Sequence, residues 1–219
     1  MSPRKAYQDE LNELGERMSK MGSMAREAIT LAAKSFEDLD LSLVERVREL
    51  DEKTHETFVK TEKKIVKIIA LHTPVAGDLR YVTTSLKITT DFGRIVRYAK
   101  DIAEITERAK ASDLHHFKVL VSIPRISEMA VSMVDLAVES FLEGDLDKAE
   151  EVFVLEDKVD ALYDEIFRGV LTYMMENPTN ISMGMNYQFV ARYLERIADH
   201  ACNIAERTVY MKTGERVEK

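Results

Sequence analysis

The stretch Arg94-Ile95-Val96-Arg97-Tyr98-Ala99-Lys100-Asp101-Ile102-Ala103-Glu104-Ile105-Thr106 returns as Arg196-Ile197-Ala198-Asp199-His200-Ala201-Cys202-Asn203-Ile204-Ala205-Glu206-Arg207-Thr208. Seven of these thirteen residues are identical at a constant offset of 102. Upstream, Leu50-Asp51-Glu52-Lys53 aligns with Leu155-Glu156-Asp157-Lys158 at an offset of 105. Self-similarity at a fixed period is the mark of a repeated structural unit. The chain therefore reads as a tandem duplication of about 110 residues, and each copy is a control on the other.

Apolar residues recur every three and four positions around both repeats, the period of an amphipathic helix. Eight Gly and four Pro in 219 residues leave few places to break such helices. The spacing predicts helices over about Tyr7 to Asp38, Leu43 to His72 and Val75 to Ala109, the second stopping before Pro74 because a residue ahead of proline avoids the α region. A polar and aromatic stretch from Ser112 to Val121 follows. Ser122, two residues before Pro124, reads as the next helix start. Helix four is expected to end near Gly144, helix five near Asn177-Pro178, and helix six to span Asn180 to Lys212. Short turns make neighbouring helices antiparallel. The predicted fold is all-α, two three-helix bundles in tandem, with residues 1–112 forming one and 113–219 the other.

With 45% hydrophobic residues, each half is long enough to bury a core. Cys202 is the single cysteine, so no disulfide framework or Cys-based zinc site is expected, which fits a reducing compartment. No apolar run reaches the ~18 residues of a membrane span. The start, Met1-Ser2-Pro3-Arg4-Lys5, lacks a secretory apolar region. A cytoplasmic protein is expected. A net charge of −8 disfavours nucleic acid as a partner. Residues 1–112 carry 20 Lys+Arg against 19 Asp+Glu, whereas residues 113–219 carry 11 against 20, so bound cations are expected on the second half.

Helix six has a seam of Val190, Leu194, Ile197, Ala201 and Ile204. At about 100° per residue, Glu195 and Asp199 lie side by side at its edge, with Asn203 and Glu206 continuing the polar arc. Helix five has a seam of Val152, Leu155, Val159, Leu162 and Ile166, with Glu156 and Asp160 at the same angular offset beside Tyr163. Acids four apart on a helix repel by about 0.2–0.5 kcal/mol when exposed. One Glu-x-x-x-Asp pair is ordinary in a chain this charged. Two pairs on adjacent helices leave two readings open, solvated faces or a shared hard cation held by oxygen ligands.

Three segments resemble the signature of the PhoU family of phosphate-signalling accessory proteins: Pro74-Val75-Ala76-Gly77-Asp78-Leu79-Arg80, Glu156-Asp157-Lys158-Val159-Asp160-Ala161-Leu162-Tyr163, and Leu194 through Ala201 continued by Asn203-Ile204-Ala205-Glu206. The likeness extends over the duplication and the closing Tyr210-Met211-Lys212-Thr213-Gly214. It implies a multinuclear metal site, iron or zinc in the family, on each bundle. Mg, Ca or Mn also suit the oxygen donors. It further implies a regulatory role in phosphate uptake and the phosphate-starvation response, exerted through the phosphate transporter's ATPase subunit and a sensor histidine kinase at the membrane's inner face. A homodimer is expected from the same likeness.

Carried across by position, the family's acids fall on Glu156, Asp160, Glu195 and Asp199 in the second copy, with Asp157 and Glu206 as auxiliary candidates. In the first copy they fall on Asp51, His55, Gly93 and Arg97, of which only Asp51 is a carboxylate. The first bundle is expected to hold no multinuclear cluster, with the Arg97 guanidinium near the cation's place and paired with Asp51 or Asp101. Cys202 is expected to be a small packing residue, His200 to face solvent, and Arg80 to orient the turn before helix three. The Met-rich stretches, Met129, Met133, Met174, Met175, Met183 and Met185, read as core or interface filling.

No nucleophile–His–acid order, P-loop or Gly-rich cradle is present. A carboxylate-bridged di-metal oxidase needs Glu-x-x-His on two helices with every ligand pointing into the core. Only Glu52-Lys53-Thr54-His55 has that spacing, so a non-enzymatic regulator is expected. The rivals are an accessory protein of a secondary phosphate or cation transporter and a metal-free helical adaptor.

Overall fold

The computed structural model describes residues 3–117 and 122–217; Ser2 and the end of the connecting stretch, Lys118 to Val121, lie outside the described residues. Six α-helices are present among them: α1 (Pro3–Asp38), α2 (Leu41–His72), α3 (Ala76–Ala111), α4 (Ser122–Glu143), α5 (Leu146–Glu176) and α6 (Ile181–Thr213). A 3-10 turn, Pro178–Asn180, precedes α6. The tandem pair of three-helix bundles is as the periodicity predicts. Helix α1 starts four residues earlier than expected, because Pro3 suits the first turn, where its missing N–H costs nothing.

The turns show the duplication as clearly as the helices do. Between α1 and α2, Leu39 takes a left-handed conformation with φ 49°. Asp40 then caps α2, its side chain accepting from Ser42 N at 2.8 Å. At an offset of 105, Gly144 takes φ 67° and Asp145 caps α5, accepting from Asp147 N at 2.9 Å and Lys148 N at 3.2 Å. The amides of Asp40 and Asp145 both donate 3.0 Å bonds, to Ser35 O and Ser140 O respectively. Each cap satisfies amides that a helix start leaves unpaired, typically worth about 1 kcal/mol.

Among the described residues, helix α2 packs only on α1 and α3, and α5 only on α4, α6 and the short turn, so both are outer helices. The halves join through α1 against α4 and α3 against α6. Helices α1 and α4 approach closely at Gly22, where a Cβ would sit 2.6 Å from Val138 Cγ2. Phe36, Phe92 and Phe141 are fully buried, each contributing about 1.5–3 kcal/mol through removal from water. His116, in the connection, docks on both halves. Its Nε2 lies 2.9 Å from Phe36 O and its Nδ1 2.9 Å from the Tyr187 hydroxyl. Since Phe36 O only accepts, Nε2 carries the proton and Nδ1 accepts from Tyr187, whose hydroxyl burial pushes up to about 12.

Across the α3–α6 seam the repeat becomes geometric. His200 Nδ1 lies 2.9 Å from Asp91 Oδ1, and the Tyr98 and Tyr193 rings stack at 5.7 Å. The 102-residue offset carries Asp91 to Tyr193 and Tyr98 to His200, so these two pairs are the same contact seen from opposite sides. Tyr98 and His200, equivalent to one another, meet at 5.8 Å and mark where the pseudo-twofold axis passes.

Candidate metal centre

On α5, Val152, Val159, Leu162 and Ile166 are buried; on α6, Val190, Leu194, Ile197, Ala201 and Ile204 are. These seams fix Glu156 and Asp160, and Glu195 and Asp199, along the borders of the α5–α6 contact. The acids lie within electrostatic reach of one another. Partial burial raises the Asp160 carboxyl above its ordinary value, with Glu156, Asp199, Asp157 and Asp164 adding in that order. Glu195 is raised in the same way, by burial first and by Asp199 and Asp160, while Arg192 and Arg196 pull against the shift.

Two arginines grip this acidic face. Arg192 Nη1 donates to Glu195 Oε1 at 2.7 Å, and Arg196 Nη1 to Asp199 Oδ2 at 2.9 Å. Arg196 thus ties down its neighbours, as its adjacency suggests. Arg192 is new, and it also sits 5.8 Å over the Tyr163 ring. Its signal was the i, i+3 spacing to Glu195. Glu195 Oε2 is buried with no hydrogen-bond partner, Arg196 Nε lying 3.9 Å away. Among the described residues no three His, Cys, Asp or Glu side chains stand close enough to hold an ion as placed. In their chemistry, though not in their present spacing, these acids suit a cation: a positive charge beside the unpartnered Glu195 oxygen would offset the burial and repulsion that raise Asp160 and Glu195.

The other candidates separate. Asp157 belongs electrostatically to the Asp160 group. Glu206, about two turns beyond Asp199, lines a different cavity with Thr84, Lys87, Arg207 and Tyr210. Cys202 is fully buried. His200 does not face solvent, contrary to its position on the polar arc. It is four-fifths buried against Asp91, whose other oxygen meets Arg207. Burial lowers the imidazole below its ordinary value, Arg94 and Arg196 adding to this and Asp199 opposing. With Asp91 charge-matched by Arg207, a neutral His200 donates Nδ1–H to the carboxylate. The polar arc of one helix is the packing face of another here, because α3 covers it. Arg80 likewise reaches beyond its own turn, Nε donating to Met211 O at 2.9 Å and clasping α3 to the end of α6. Asp78 accepts from the Tyr7 hydroxyl at 3.0 Å. Of the methionines, Met133 and Met183 are core, while Met175 and Met185 are exposed, as are Phe167, Leu171 and Phe189.

In the first bundle, Arg97 Nη1 stands 3.7 Å from Asp51 Oδ2, so the expected pairing is with Asp51 instead of Asp101. Lys100 Nζ is nearer, at 3.1 Å, and takes the principal share of that carboxylate. His55 stacks on Phe58, and a Cβ on Gly93 would meet nothing within 4 Å.

The family model described as PhoU domain matches twice, over residues 18–106 and 123–208. The chain belongs to the PhoU family. Curated relatives bear the name phosphate-specific transport system accessory protein PhoU homolog. The one from Clostridium acetobutylicum is 33% identical over 216 residues, 98% of either chain, and that from Aquifex aeolicus 37% over 209 residues, 95% of this chain and 94% of the relative. The crystal structure of PhoU from Pseudomonas aeruginosa superposes with a TM-score of 0.90 at 30% identity, covering 95% of this chain and all of that one. The phosphate transport system regulatory protein PhoU from Streptococcus pneumoniae, at 23% identity and a TM-score of 0.88 over 97% of this chain and all of that one, supports the fold alone. No described helix of this PhoU-family chain is long and apolar enough to cross a membrane.

Proposed function

We propose that this chain is a non-enzymatic, cytoplasmic regulator of phosphate uptake and phosphate-starvation signalling. In this reading it binds metal ions on the second bundle and acts through protein partners, namely the transporter's ATPase subunit and a sensor histidine kinase. The observation that carries the reading is the acidic face of Glu156, Asp160, Glu195 and Asp199 in a PhoU-family chain whose first copy has lost it. The names of its relatives support the link to phosphate transport. The four carboxylates would hold the ions, which would neutralise their repulsion and brace α5 against α6. Because Asp160 and Glu195 are raised, ion binding releases protons and strengthens as pH rises.

Elemental analysis of purified chain, repeated on Glu195→Ala with Asp199→Ala, tests this. Bound metal in the parent and none in the double variant, at unchanged helicity by circular dichroism, is the expected outcome. Silence in every metal channel for the parent would defeat it. One observation favours a second reading, a metal-free adaptor: Arg192 and Arg196 already answer Glu195 and Asp199. Retained partner binding in the double variant selects that reading. An accessory role to a permease is separated from the first by which transporter co-purifies.

A further inference from the structure

The first bundle's counterpart of the acidic face is a groove of about 220 Å³ lined by Asp51, Thr54, His55, Phe58, Thr90, Gly93, Arg94 and Arg97. We propose that this groove binds a small tetrahedral oxyanion, inorganic phosphate being the ligand, between Arg94 and Arg97 of α3 and Thr54 and His55 of α2. The inference is independent of any ion on the second bundle.

The argument starts from charge. Asp51 is the single acid in the lining, and Lys100 answers it at 3.1 Å from outside the groove. That leaves Arg97, 3.7 Å from the same oxygen and 54% exposed, with most of its donors unused. Arg94 is exposed and makes no hydrogen bond or ion pair among the described residues. Two guanidiniums three residues apart share a helix face and repel one another unless an anion lies between them. Arginine presents paired N–H donors matched to two oxygens of a phosphate.

Shape and donors agree with charge. At about 30 Å³ per water, the groove has room for a phosphate with part of its hydration. Thr90 brings a hydroxyl and His55 a ring N–H to the same opening, and His55 is held flat against Phe58 with an interplanar angle of 8°. Thr54, buried in the groove lining, has among the described residues only Met24 Sδ, 3.9 Å away, as a weak acceptor. Gly93 stands where the second copy has Glu195, and the space at its Cβ position is open. The substitutions Asp160 to His55, Glu195 to Gly93 and Asp199 to Arg97 all move charge in one direction. Arg94 is shared with the second copy as Arg196, so Arg97 is the arginine that the first copy adds, in place of Asp199.

The test is calorimetric titration of the chelator-treated full chain with inorganic phosphate, in parallel with O-phosphoserine and acetate. Saturable binding of one phosphate per chain is expected, weakened about tenfold or more by Arg94→Ala or Arg97→Ala, since bonds to charged groups contribute most of such affinity. Gly93→Glu has space for its side chain, so it should fold normally and abolish binding. Phosphoserine binding as tightly as free phosphate would mean that the groove reads a phosphoryl group carried on another molecule, and would overturn the free ion as its ligand. Absence of saturation at about 10 mM phosphate, a level where even a millimolar site would fill, overturns the proposal. So does binding that survives both arginine variants, or that vanishes in Glu195→Gln with Asp199→Asn while surviving them.

Discussion

The two copies share a scaffold and differ in the sign of the charge displayed at one place on it. The second copy sets Glu156, Asp160, Glu195 and Asp199 along the α5–α6 border, where burial and mutual repulsion raise Asp160 and Glu195. The first sets Asp51, His55, Gly93 and Arg97 along the α2–α3 border, where lysine and arginine neutralise the one acid that remains. Both sets flank a buried seam instead of filling it. The lesson is that positions beside a seam can change charge wholesale while the core, and hence the fold, stays put. The α3–α6 seam changes too, but pair by pair: Asp91–His200 on one side of the axis answers Tyr193–Tyr98 on the other.

Rebuilding the acidic set in the first copy strains the comparison hardest. His55→Asp, Gly93→Glu and Arg97→Asp together are expected to double the metal content per chain measured by elemental analysis. An unchanged content would show that the borders differ in backbone and not merely in side chains. Next in size is the seam. Asp91→Ala strands Arg207 in a site that leaves Asp91 only 4% exposed, and should cost about 3–5 kcal/mol by urea unfolding. Its counterpart change, Tyr193→Phe, keeps the ring stack and should cost less than about 1 kcal/mol. Equal costs would mean the pseudo-twofold pairs carry equal weight after all.

A turn comparison comes third. Gly144→Ala puts a Cβ at φ 67° and 2.7 Å from Lys212 Nζ, a loss of about 1–2 kcal/mol, while Leu39 already tolerates the same conformation in the first copy. The smallest effect is on pH dependence without metal. A carboxyl whose native value is raised stabilises the fold while protonated, and that contribution fades as pH climbs from the ordinary carboxylate value through the raised one. Metal-free protein should therefore lose melting temperature over that rise, and Glu195→Gln should flatten the slope. A parent profile with no such loss would remove the repulsion on which the acidic-face reading depends.

How much of this was open to sequence reading follows from range. The duplication, the helices and the borders carrying the acids all follow from spacings of three, four and about 105 residues within single helices. The Arg192 clamp on Glu195 was also legible, as an i, i+3 pair. Lys100 was harder, because Arg97 and Lys100 are both within reach of Asp51 and only side-chain geometry decides between them. His200 could not be placed from its own helix. Its partner Asp91 lies 109 residues away, and the packing of α3 on α6 turns an apparently solvated arc inward. The repeat did hold a clue, since His200 is equivalent to Tyr98, a residue seldom left wholly in water.

The outer position of α2 and α5 has a mechanical corollary. Helices α1, α3, α4 and α6 form a four-membered slab in which every member is braced from both bundles, whereas each outer helix leans on its own bundle alone. Any ion captured along an outer helix therefore pushes against the most easily tilted part of the molecule. A change of load there would fall on one wall, with the slab as the frame behind it.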